Sequence, residues 1–100
     1  MQGYRLSKEA QDDLQNIKSY TLMTWGNKQT KAYLSEIKSG LENLVLSPEL
    51  GKFRNEIDER VRSFNINRHI IFYRVGKTEI EVARILHCRM DVTRHVSGSW

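Results

Sequence analysis

The chain has 100 residues, of which 39% are hydrophobic and 28% charged, with a formal net charge of +4. That length gives one domain with a single core, residues 1–100, and the composition excludes a disordered chain. No apolar run approaches the roughly 20 residues of a membrane span, and the N-terminal MQGYRLSKEA has no signal-peptide core. The lone Cys88 rules out an internal disulfide, so a cytoplasmic protein with no membrane association is expected.

The basic excess is uneven. Residues 63–100 carry Arg68, Arg74, Lys77, Arg84, Arg89 and Arg94 against three acidic side chains, whereas residues 1–62 are nearly balanced. Such a distribution favours an acidic partner, protein or nucleic acid, and is equally the mark of a solvated basic surface.

Tyr4 and Leu6 alternate with polar neighbours and predict a first strand over residues 3–6. Ser7 suits the N-cap of a helix whose first turn holds Glu9. Ala10, Leu14, Ile17 and Tyr20 form its apolar stripe, leaving Asp12, Asp13, Gln15, Asn16 and Lys18 to water. Gly26 ends it, with Trp25 expected to pack the corner. Asn27 is read as the N-cap of a second helix reaching Leu46, with a stripe of Tyr33, Leu34, Ile37, Leu41, Leu44 and Val45. Gly40 weakens that helix by roughly 1 kcal/mol relative to alanine without interrupting its period. Ser47-Pro48 stops it. So short a link makes the pair an antiparallel hairpin that needs an apolar sheet to cover.

Residues 48–59 read as a loop, with Phe53 and Ile57 available to pin it to the body. A strand over residues 60–66 follows, with Phe64 and Ile66 inward, and Asn67-Arg68 forms a tight turn. His69–Val75 and residues 78–86 are rich in β-branched and aromatic side chains and make a hairpin about Gly76-Lys77. Along the last strand Ile80 and Val82 share one parity and Ala83 and Ile85 the other, so either both faces are buried or a bulge shifts the register. One face covered by a partner and complete burial under the protein's own loops are both compatible with that pattern. The polar residues 91–100 are expected to form a tail that frays unless bound.

The chemistry-bearing residues are few. His87 and Cys88 are adjacent and on a strand point to opposite faces, while His69 and His95 lie far off in sequence, so no metal site is expected. Serine-nucleophile and glycine-rich phosphate motifs are absent, and no cofactor is implied. Arg62, Arg84 and His87 could in principle cleave RNA, the arginines meeting phosphorane charge and the histidine moving protons. No second acid–base residue stands near them, and Arg84 is as readily a structural partner of Glu81, Asp91 or the acidic residues Glu56, Asp58 and Glu59.

Taken in order, Tyr4-Arg5-Leu6-Ser7-Lys8-Glu9-Ala10, Asp13-Leu14, Trp25-Gly26, Ser47-Pro48-Glu49-Leu50-Gly51, Glu56-Ile57, Arg62-Ser63, Arg68-His69, Ile71-Phe72-Tyr73-Arg74, Arg84-Ile85-Leu86-His87 and Arg89-Met90-Asp91 resemble the RelE/ParE toxin superfamily, on its ParE branch. The resemblance spans residues 3–91. It implies an α+β fold, an antiparallel sheet packed against an N-terminal helical hairpin in the order β-α-α-β-β-β. It implies the toxin of a type II toxin–antitoxin module of the plasmid-stabilisation kind, which inhibits DNA gyrase without catalysis and blocks replication. A ParD-like antitoxin would neutralise it in a hetero-oligomer, and DNA would be met only through that antitoxin. RelE-type relatives cut messenger RNA on the ribosome with basic residues and a C-terminal tyrosine. Here His87 and Met90 stand in that region without a tyrosine, so ribonuclease roles do not carry over. Beside the gyrase inhibitor stand two alternatives, a ribosome-dependent mRNA endonuclease and a non-toxic antitoxin-binding relative.

On this reading Arg62, Arg74, Arg84 and Arg89 would meet acidic antitoxin side chains, with Tyr33 and Leu34 beside the apolar groove. Gyrase would be met by the end of the last strand and the segment after it: Arg84, His87, Arg89, Met90, Asp91 and Arg94, reaching toward Trp100.

Overall fold

Ser7 shows how the chain organises itself locally. Its hydroxyl oxygen accepts the Ala10 amide at 3.0 Å, capping the first helix, and its own proton goes to the Ala83 carbonyl at 2.6 Å. One side chain thus starts a helix and joins it to the last strand. The computed structural model describes residues 1–89. In chain order it contains β1 (Tyr4–Leu6), α1 (Lys8–Trp25), α2 (Asn27–Leu46), a 3-10 turn (Pro48–Leu50), β2 (Lys52–Phe53), β3 (Arg62–Ile66), β4 (His69–Val75) and β5 (Ile80–His87). The tail expected over residues 91–100 lies outside the described residues. Among the described residues, no helix is long and apolar enough to cross a membrane.

The two helices meet at Gly26, whose φ of 86° is a left-handed backbone that suits glycine. Gly26 also serves as the cap of α2, so Asn27 sits inside the helix rather than capping it. The buried face of α1 consists of Ala10, Asp13, Ile17 and Thr21. Of the expected stripe, Ala10 and Ile17 are buried and Leu14 packs against the core, and only its C-terminal end is off by one position. Tyr20 and Trp25 are exposed instead of packing inward. Thr21 can replace Tyr20 because its hydroxyl donates to the Ile17 carbonyl at 2.7 Å and leaves nothing unsatisfied. In α2 the expected residues Ile37, Leu41 and Leu44 are buried, and Tyr33, Leu34 and Val45 line the edge of the core.

The sheet has the order β1-β5-β4-β3-β2. The α+β class stands, and β2 through β5 pair antiparallel. The first strand joins parallel, Leu6 opposite Val82, so the sheet is mixed. The helical hairpin returns the chain over one face of the sheet, and an antiparallel neighbour for β1 would require a tight turn that the chain does not make there.

Both readings of the last strand hold together. Register shifts between Phe72 and Tyr73, which oppose Arg84 and Val82, so Ala83 is the extra residue of a bulge on β5. Ile80, Val82 and Ile85 reach the core under the helices, with Ile71 and Tyr73. Ala83, Leu86 and Phe72 belong to a second cluster on the other face, covered by Val61 and Ile57. The loop before β3 therefore covers that face itself, and Ile57 pins it as expected. Phe53 does not: it is exposed, with the Arg62 guanidinium 3.8 Å over its ring. The third strand begins at Arg62, because residues 54–61 turn back on themselves through Ile57 N–H to Arg54 O and Val61 N–H to Asp58 O.

Tyr73 explains the 3-10 turn. Its buried hydroxyl donates to the Pro48 carbonyl at 2.7 Å and accepts the Gly51 amide at 2.9 Å. It is a core residue with a polar handle.

Candidate functional site

Two surfaces stand out, and the first is lined by none of the predicted site residues. The first is a groove of about 580 Å³ between α2 and β3, bounded by Ala32, Glu36, Asn43, Phe64 and Asn67. Its floor depends on Gly40, since a Cβ there would stand 2.0 Å from Ile66 Cδ1. The glycine thus makes room for the end of the Ile66 side chain, which would have to turn away from a larger residue, where the sequence shows only its propensity cost. β2 pairs with Ser63 and Arg62 alone. Beyond them, the outer edge of Phe64, Asn65 and Ile66 has no strand partner among the described residues. An open strand edge beside a helix face of small and polar residues, Ala32, Ser35, Ser39 and Gly40, can accept an extended segment. Tyr33 and Leu34 lie on the same helix, partly buried.

The second surface is the end of β5. His87 pairs across the sheet with His69, and their rings meet edge-on, centroids 5.4 Å apart. The Tyr33 hydroxyl hydrogen-bonds His69 Nδ1. Burial raises the tyrosine pKa, while burial first and the neighbouring His87 second lower that of His69. A protonated phenol facing a neutral imidazole donates to Nδ1, which leaves the ring proton on Nε2. His87 Nδ1 accepts the Arg89 amide at 3.2 Å. The pairing of β4 with β5 therefore joins histidines that the sequence keeps far apart. Counting from the turn would not have found them: His69 lies six residues before Val75 and His87 seven after its partner Ile80, the extra residue being the Ala83 bulge.

The predicted arginines are engaged within the chain. Arg84 gives Nε and Nη2 to the Asp13 carboxylate at 2.7 and 2.8 Å, and the same carboxylate accepts the Ile85 amide at 2.9 Å. The Asp13 hydrogen bonds raise the Arg84 pKa further above its already high value. Asp13 is consequently buried, not solvent-facing, and it, rather than Glu81 or the Glu56–Glu59 segment, is the partner found for Arg84. Its position three after Ala10 and four before Ile17 places it in the apolar stripe, a signal present in the sequence. Arg74 pairs with Glu81, which Arg5 also reaches at 3.0 Å. Arg62 donates to the Gly51 carbonyl at 2.8 Å and stacks on Phe53. Arg89 is exposed. Met90, Asp91 and Arg94, placed at the target contact by the sequence reading, lie outside the described residues, as does Trp100. Among the described residues, no group of three His, Cys, Asp or Glu side chains could hold a metal ion.

A family model described as "ParE toxin of type II toxin-antitoxin system, parDE" matches residues 4–92. The chain is 37% identical over 94 residues to Toxin ParE1 of Mycobacterium tuberculosis (strain H37Rv), covering 93% of this chain and 96% of that protein. It is 32% identical over 96 residues to Toxin ParE1 of Caulobacter vibrioides, covering 96% and 99%. Among solved structures, one titled "Chromosomal ParDE TA system from P. aeruginosa" matches with a TM-score of 0.74 at 20% identity, over 87% of this chain and 96% of that one.

Proposed function

Since this chain belongs to the ParE toxins of type II toxin–antitoxin systems, we propose that it inhibits DNA gyrase by docking on it and is silenced by a ParD-like antitoxin. The observation that carries the non-catalytic part is the Arg84–Asp13 pair. The guanidinium that an RNA-cleaving site would turn toward phosphate already faces a buried carboxylate in bidentate geometry. The open edge of Phe64–Asn65–Ile66 and the adjoining groove suit an antitoxin that arrives as a disordered segment and orders on binding. Purified protein in gyrase supercoiling and DNA-cleavage assays tests the reading. Inhibition at micromolar protein, relieved by stoichiometric antitoxin, is expected; no effect on gyrase ends the proposal.

A second reading, a translation-dependent mRNA endonuclease, gains one observation. His69 stands beside His87 and supplies the second acid–base group that the sequence did not show. It predicts that His69→Ala and His87→Ala abolish mRNA cutting during translation. An intact message profile with the parent protein removes it.

A further inference from the structure

The outer edge of β3 carries a backbone pair turned away from the sheet. Arg54 N–H bonds the Val61 carbonyl at 2.8 Å and Lys52 pairs with Ser63, so Val61 and Ser63 turn their backbone groups toward the β2 side. The same alternation turns the Asn65 N–H and C=O outward, where no described strand meets them. Phe64 and Ile66 lie on the helix side of that edge, near Gly40, and Glu36 lines the groove they share. Glu36 is exposed and forms no ion pair among the described residues. The chain leaves β5 close by. Cys88 N–H bonds the Arg68 carbonyl at 2.9 Å, in the turn that joins β3 to β4. Eleven residues follow Arg89 in the sequence, MDVTRHVSGSW.

We propose that the segment after β5 folds back along the outer edge of β3, Val92–Val96 running antiparallel to Phe64–Ile66, and that the antitoxin displaces it. The displacement rests on the antitoxin docking at this edge; the fold-back does not. Reach, direction, sequence and charge all lead to that occupant. From the turn at Arg68 to the place beyond β3 is about 10 Å, two strand spacings, which three extended residues, Arg89, Met90 and Asp91, cover. Because β3 runs toward this turn, a chain that arrives there and continues along the edge runs opposite to it. That is also the direction of β2, which pairs antiparallel with the other end of β3. Val92, Thr93 and Val96 are β-branched, as suits an edge strand. Strand alternation puts Val92, Arg94 and Val96 on one face. Turned to the groove, the valines cover Phe64 and Ile66 while Arg94 meets Glu36. A tether this short holds the segment at an effective concentration of about millimolar, so weak pairing is enough to fill the edge. A second copy paired edge to edge would bring only its own groove, whose lining includes no basic residue to meet Glu36.

Residue-resolved amide exchange on the full chain reads the Asn65 N–H directly. That amide is expected to exchange at least tenfold more slowly in the parent than in Val92→Pro/Val96→Pro, with the Ile71 amide, inside the sheet, unchanged. Arg94→Glu is expected to speed it at least threefold, and Glu36→Lys added to the same chain to restore the parent rate. A fast Asn65 amide in the parent overturns the inference, and so does protection that the proline and charge variants leave untouched. Protection that fades on dilution gives the edge to a second copy and overturns it as well. Antitoxin affinity is measured in parallel, and the proline variant is expected to bind at least threefold tighter because nothing has to be displaced. Exchange as expected with unchanged antitoxin affinity keeps the fold-back and overturns the displacement. A fast Asn65 amide in the free parent that antitoxin then protects overturns the inference while leaving the antitoxin at this edge.

Discussion

The carboxylate of Asp13 takes three hydrogen bonds, from Nε and Nη2 of Arg84 and from the Ile85 amide, in a setting where it is 9% exposed. Removing it leaves the guanidinium partly buried and a strand amide without its acceptor. Breaking one side of such a pair costs about 3–5 kcal/mol, a large share of the stability of a 100-residue domain. Asp13→Ala is therefore expected to unfold at far lower urea than the parent. A midpoint close to the parent's would show that the pair contributes little. Gly51 sets a second limit of this kind. A Cβ there would lie 2.5 Å from the Tyr73 hydroxyl and 2.9 Å from the Ser63 carbonyl, and neither a buried ring nor a backbone oxygen yields easily. Gly51→Ala is expected to lose about 1–3 kcal/mol, with the 48–51 turn displaced, measurable as a drop in Tm. Asp13 was legible as an acid within an apolar stripe, although hydropathy alone sends it to water. The role of Gly51 was not legible, because a close approach between residues 22 apart leaves no local mark.

Helix α2 is tied to strand β4 by the Tyr33–His69 hydrogen bond, and β4 to β5 by the edge-on contact of the histidines at their ends. This junction makes the elements sensitive to pH. The His69 pKa in the folded state is lowered from 6.5, chiefly by burial and next by His87, with Asp13 opposing. The unfolded chain therefore binds the proton first as pH falls. Stability is complete above 6.5 and declines as pH drops from 6.5 toward the lower folded value. Urea unfolding between about pH 8 and pH 5.5 should show that decline, and His69→Gln should flatten it relative to the parent. An identical slope in the variant would place the pH sensitivity elsewhere. At this scale the sequence was informative where periodicity governs: both helices and the three long strands lie close to their predicted bounds. It missed β2 and the parallel pairing of β1, since a two-residue strand has no period and pairing direction depends on chain path.

Across the whole molecule, the formal charge of +4 overstates what a partner meets, because the basic groups divide into two kinds. Arg84, Arg74 and Arg54 face Asp13, Glu81 and Glu56 at 2.9 Å or less, so they act mainly within the fold. Among the other exposed cations, Lys28 and Lys31 lie on the first turns of α2 and Arg68 and Arg89 near the sheet end, while Lys8, Lys18, Lys38, Lys52 and Lys77 are spread along the chain. Exposed charges steer encounter over a Debye length of about 8 Å at physiological salt, whereas paired buried ones hold position once docked. Raising salt from about 50 to 500 mM should therefore slow antitoxin association by an order of magnitude or more, with a smaller change in dissociation. Stopped-flow mixing resolves the two rates. The charge swap Lys28→Glu should leave most of that salt dependence in place if the antitoxin docks at the open edge of β3 beside Gly40, about three turns along α2 from Lys28. A salt dependence abolished by the swap would move the antitoxin encounter from the open edge of β3 to the first turns of α2.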